Sequence, residues 1–120
     1  MYRIEIMYPN KPGSTFNFKH WNEVHLPMGL RLLKKHCGVS PFKVEACRNP
    51  YAPPGLTAPY HLINSLYFHT RDEADAFIRL FGIEEAAREL MEDWRNYTQS
   101  DPQVMISELI ECDPVTGRAR

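Results

Sequence analysis

The chain has 120 residues and nearly balanced charge, with 14 Lys and Arg against 15 Asp and Glu. That is the size of one domain, and the balance leaves no basic footprint for nucleic acid. No window carries the about 18 apolar residues of a membrane helix, and Tyr2 to Tyr8 alternates apolar and charged residues where a signal peptide would be continuously apolar.

Cys37, Cys47 and Cys112 are odd in number and form no CxxC pair. Neither a zinc site nor a disulfide framework is signalled, and reduced thiols in a cytoplasm are the expectation. The basic residues Arg31, Lys34, Lys35 and His36 read as the solvated side of a helix.

The first predicted strand is 2–8. Tyr2, Ile4, Ile6 and Tyr8 share one face; Arg3, Glu5 and Met7 share the other. Pro9, Pro12 and Gly13 end it in a turn. A helix follows with Asn17 as N-cap and Gly38 as C-terminal cap. Phe18, Trp21, His25, Met28 and Leu32 make its apolar stripe. Pro27 has no N–H for the carbonyl of Glu23, which predicts a kink or two short helices.

Residues 42–48 form the second predicted strand. The proline-rich stretch 49–60 then reads either as a lid or interface segment or as a surface connection. Residues 61–69 form the third strand. Thr70 and Glu73 open the next helix with a capping box. Its stripe, Ala74, Phe77, Ile78 and Phe81, is out of phase with the following one, Ile83, Ala86, Ala87, Leu90, Met91 and Trp94. Two residues of slip is about 200° around a helix, so a break is expected at Gly82. Residues 103–111 form the last strand, and 113–120 reads as a flexible C-terminal tail.

The order strand, helix, strand, strand, helix, strand is the ferredoxin-like βαββαβ arrangement. An α+β fold follows: a four-stranded antiparallel sheet with helices on one face. Leu62, Leu66, Phe68 and Asn64 should join Ile4 and Ile6 under the helices. The other face, with Ile63, Ser65 and Tyr67 beside Arg3, Glu5 and Met7, is mixed, and the last strand is apolar on both sides. A sheet with one face in water alternates more cleanly. A second copy of the sheet is the expected cover, which makes the chain a homodimer.

The run Phe18-Lys19-His20-Trp21-Asn22-Glu23-Val24-His25-Leu26-Pro27-Met28, with its His-x-Pro-hydrophobic end, resembles the EthD signature. Asp93-Trp94-Arg95-Asn96-Tyr97-Thr98 resembles that family's segment before the last strand, and the likeness of element order extends over residues 1–112. The chain departs from it at Lys19, where many relatives are acidic. The resemblance implies a dimeric α+β barrel and a role in the catabolism of a small hydrophobic organic compound, under a loose oxidoreductase label.

His25 is the first candidate catalytic residue. It can be a general acid or base, or a buried histidine that ties the kinked helix together. Asn64, a polar residue on the predicted core face, can orient His25, bind a ligand carbonyl or serve structure alone. Trp21, Tyr8 and Phe68 are candidate walls of an apolar pocket between sheet and helices, or simply core. Asp93 can pair with His25, though bonding the chain after the second helix is the expectation.

No metal site is expected. His20 and His25 are about 140° apart on an α-helix, and His61 and His69 lie roughly 27 Å apart along a strand. No residue identifies itself as a haem ligand, and no phosphate-cradling loop is present. The expected function is a cofactor-free enzyme or accessory enzyme, of oxidoreductase or isomerase type. The alternative is a dimeric module that binds a hydrophobic ligand or a partner protein without catalysis.

Overall fold

The computed structural model describes residues 1–120. Strand β1 spans Tyr2–Pro9, β2 Lys43–Arg48, β3 Tyr60–Phe68 and β4 Gln103–Glu108. They form one antiparallel sheet in the order β2-β3-β1-β4. Helix α1 runs through three continuous segments: α-helical Phe18–His20, a π-helical turn Trp21–His25, and α-helical Leu26–Cys37. Helices α2 (Arg71–Leu80) and α3 (Glu84–Trp94) follow β3. The ferredoxin-like α+β arrangement is as the element order predicts.

Register fixes the faces as strand parity required. Ile4 pairs with Leu66, Ile6 with Asn64 and Tyr2 with Phe68. Ile4, Leu66 and Phe68 lie in the core with Leu32 and Leu33 of α1, Ala74, Phe77 and Leu80 of α2, and Leu90 of α3. Tyr8, Trp21, Leu62 and Tyr97 form a second cluster. The two do not merge, and the space between them becomes the cavity described below.

The helix ends follow local chemistry. Asn17 accepts from the His20 N–H, and Gly38 adopts the left-handed conformation at φ 68°. The Thr70 hydroxyl accepts from the Glu73 N–H at 3.2 Å. The slipped stripes do separate two helices, with residues 81–83 between them.

At Pro27 the helix neither stops nor simply kinks. The Leu26 N–H bonds to the Trp21 carbonyl, five residues back, so the turn before the proline is widened.

Residues 113–120 make contacts of their own within the C-terminal segment: Cys112 bridges Ala119, Asp113 accepts from the Val115 and Thr116 N–H groups, and Arg120 pairs with Glu111. None of residues 49–59 lines the cavity, which speaks against a lid over it, and Tyr51 stands 95% exposed at the surface.

The sheet face away from the helices carries Arg3, Glu5 and Met7 opposite Tyr67, Ser65 and Ile63. Arg3 is paired with Glu5, and the Tyr67 hydroxyl donates to Glu45. Tyr60 reaches across β1 to Gln103 at 2.9 Å. Met105 of β4 joins this face at 50% exposure. No helix of the chain is long and apolar enough to cross a membrane.

Candidate functional site

The cavity lies between the helices and the sheet, where the two core clusters meet. Its volume is about 120 Å³, and 14 of its 18 lining residues are hydrophobic. An apolar cavity of about 150 Å³ can admit a benzene-sized molecule, so the space suits a ligand of about one ring. Tyr8, Trp21, His25 and Asn64, all singled out from the sequence, line it. Phe68 does not: it is fully buried in the main core.

His25 is held from behind. Its Nδ1 lies 3.0 Å from Asp93 Oδ2, while His20 Nε2 lies 2.8 Å from Asp93 Oδ1. The π-turn makes this possible. Residues five apart would diverge around an α-helix, but i→i+5 closure brings them to neighbouring positions on one side. The separation of His20 and His25 expected from α-helical geometry is therefore wrong for this helix. Asp93 also accepts from Asn96 Nδ2 at 3.2 Å. It thus bonds the chain after α3, as expected, and pairs with both histidines as well. These are hydrogen-bond distances, and no group of three His, Cys, Asp or Glu side chains could hold a metal ion.

Protonation follows from these contacts. Burial alone would raise the Asp93 carboxyl, but hydrogen bonds from His20, Asn96 and His25 outweigh it and hold it below the usual range. Ionised, the carboxylate can only accept, so both histidine nitrogens facing it carry protons. Burial lowers the His25 pKa below its ordinary value and outweighs the opposing pull of Asp93. At neutral pH His25 is therefore uncharged, with Nδ1–H donated to Asp93. Its Nε2 keeps a lone pair with no hydrogen-bond partner within the chain, and His25 is one of the residues that line the cavity.

Tyr97 is the residue that sequence reasoning missed as a lining group. The Asn17 N–H bonds its carbonyl at 2.7 Å, and Phe16 bridges Thr98. These contacts pin it against the start of α1. Its ring centroid is 4.6 Å from that of His25, and its hydroxyl is 3.0 Å from that of Tyr8. Burial raises both phenols above their ordinary pKa. The only sequence signal for Tyr97 and Asp93 was their shared stretch, 93–98.

Two buried polar atoms on the lining residues have no hydrogen-bond partner: Asn64 Oδ1 and Trp21 Nε1. Asn64 is 3% exposed and does not touch His25 through any hydrogen bond, so it does not orient that ring. Native chains leave few such groups unpaired.

Three crystal structures share the fold. An EthD-like protein of Ralstonia eutropha JMP134 superposes with a TM-score of 0.72 at 18% identity, over 95% of this chain and 96% of that one. An ethyl tert-butyl ether D (EthD) family protein of Bacillus halodurans C-125 gives 0.56 at 15% identity, over 92% and 99%. A protein of Agrobacterium tumefaciens gives 0.50 at 18% identity, over 95% and 98%. No curated protein matches the chain. The EthD domain model matches residues 15–101, a span that takes in Trp21, His25, Asn64, Asp93 and Tyr97, and the chain belongs to the EthD family.

Proposed function

We propose that this protein is a cofactor-free enzyme that binds a small, largely apolar organic compound in the cavity and moves a proton on it through His25. The observation that carries the reading is the free Nε2 of a neutral, Asp93-anchored histidine in the wall of a mainly hydrophobic cavity. A base of this kind, held in place and tuned below its ordinary pKa, supports proton transfer and isomerisation, or oxygenation of the carbanion it generates. Asp93 is a positioning residue: it fixes the tautomer and stabilises the imidazolium formed during transfer.

The reading includes a homodimer in a reducing cytoplasm. Ile63, Tyr67 and Met105 stand beside Arg3 and Glu5 on the sheet face that no helix of the chain covers, and the sheet of a second copy would complete it. A catabolic role agrees with the family's character. The second reading, a binding module without catalysis, draws on the predominance of hydrophobic lining residues.

The discriminating experiment measures binding and turnover together on a panel of small cyclic compounds. His25→Gln should bind but not turn over. Wild-type protein that binds the panel and converts none of it would favour the module.

A further inference from the structure

Tyr8 and Tyr97 present a proton that the chain does not use. Their hydroxyl oxygens are 3.0 Å apart and both residues are 3% exposed. Two hydroxyls bring two protons, and the contact between them consumes one. No other hydrogen bond within the chain engages either oxygen. The Trp21 N–H points toward the Tyr8 hydroxyl but lacks hydrogen-bond geometry. An indole N–H is a donor only, so it cannot take the second proton. One buried phenolic proton is therefore without a protein acceptor, and buried polar groups are seldom left so.

Both tyrosines line the cavity, and Tyr97 packs against the ring of His25. The tyrosine pair that carries the unused donor and the histidine that carries the free Nε2 thus line one cavity. A ligand that satisfies both must offer an oxygen that accepts, and close to it a hydrogen that can leave as a proton. A carbonyl group with hydrogen on the adjacent carbon offers the two together.

Resting on the reading of His25 as a base, we infer that the substrate is an enolisable carbonyl compound of about one ring, whose carbonyl oxygen accepts the spare hydroxyl proton of the Tyr8–Tyr97 pair. His25 Nε2 takes a proton from the carbon next to the carbonyl. The C–H bond breaks, an N–H bond forms, and the C–H electron pair becomes a C=C bond while the carbonyl π pair moves onto oxygen. The tyrosine hydroxyl stays protonated and donates to that oxygen more strongly as charge builds on it. Return of the proton from Nε2 to the same carbon regenerates the substrate; in a conjugated substrate, return to another carbon isomerises it. No oxidant or cofactor enters the balance. Burial raises both phenols above the ordinary phenol value, so both are protonated at neutral pH, where His25 is uncharged.

The test uses cyclohexanone in D2O, with toluene as a ring of similar size that lacks the oxygen. Proton NMR follows loss of the signal from hydrogens next to the carbonyl, and ligand-induced shifts report binding of each compound. Wild-type protein should bind both and accelerate exchange of cyclohexanone over buffer. Tyr97→Phe should still bind toluene and lose about 10²-fold of the acceleration, as expected when one oxyanion donor is removed. Tyr8→Phe serves as the second variant if Tyr97→Phe fails to fold. Binding of both probes without faster exchange overturns the carbonyl assignment and leaves the apolar cavity standing. Undiminished exchange in both Phe variants overturns it as well. Binding of neither probe overturns the reading of the cavity and this inference together.

Discussion

His25 Nδ1 and Asp93 Oδ2 meet at 3.0 Å although 68 positions separate them in the chain. The contact ties the π-turn of α1 to the end of α3 and turns the free Nε2 of His25 away from Asp93. The chemistry proposed for this protein depends on that one bond, and it sets the pH behaviour.

Exchange or turnover should rise with pH as His25 loses its proton and then level off. Burial lowers that titration, Asp93 opposes the shift and the charge of His20 adds to it, so the midpoint should fall below about 6.5, the free-imidazole value. Asp93→Asn removes the group that raises the His25 pKa, and the midpoint should move lower still. Because Tyr8 and Tyr97 are both raised, no alkaline fall is expected below about pH 10, the ordinary phenol value. NMR titration of the His25 ring gives the value directly; a midpoint above 6.5 contradicts the burial argument.

Stability should fall on acidification in two stages. Between the lowered His25 pKa and about 6.5, the unfolded chain binds the proton that the folded chain refuses. Stability contributed by neutral His25 is thus complete above that range and is lost as pH drops through it, with a slope of at most about 1.4 kcal/mol per pH unit. Asp93, also lowered in the fold, adds a second loss below about pH 3.9. Urea unfolding across pH 3 to 8 would show both stages, and a curve flat through the upper one would count against a neutral His25.

His25→Ala should abolish exchange while unfolding little of the protein. It removes one hydrogen bond to Asp93, which keeps His20 and Asn96. The expected cost is about 1 kcal/mol, a fall in Tm of roughly 3–6 °C for a domain of this size. Calorimetry beside the exchange assay separates the roles. A variant that melts lower yet exchanges cyclohexanone at the wild-type rate removes His25 from the chemistry.

Gly29 lies inside α1 on the cavity wall. A Cβ there would meet nothing closer than Leu90 Cδ2 at 3.8 Å, an ordinary contact. Gly29→Ala should therefore stabilise the chain by about 0.5–1 kcal/mol. Gly29→Leu should occupy the cavity and eliminate toluene binding. Unchanged toluene affinity in that variant would show that the ligand sits elsewhere.

The homodimer is checked by sedimentation, which should give twice the 14.0 kDa chain mass. Met105→Lys, on the sheet face away from the helices, should shift the species toward monomer. A wild-type monomer at micromolar concentration sinks the barrel arrangement.

The order of elements, the parity of the strands and the break at Gly82 were legible in the chain, because each is a local pattern of apolar spacing. The sequence also singled out His25, Trp21, Tyr8 and Asn64, since a stripe or strand face reports which side of an element is turned inward. It could not tell which inward residues meet another layer and which meet a void. Phe68 and Tyr8 share a strand-face pattern across β3 and β1, yet Phe68 packs solidly under α2 and Tyr8 borders the cavity. Nor could it bring His20, His25 and Asp93 together. Angles around a regular α-helix set the two histidines apart, whereas the widened turn ahead of Pro27 sets them side by side. Asp93 reaches them only because α3 packs back across α1, a non-local contact that no spacing along the chain encodes.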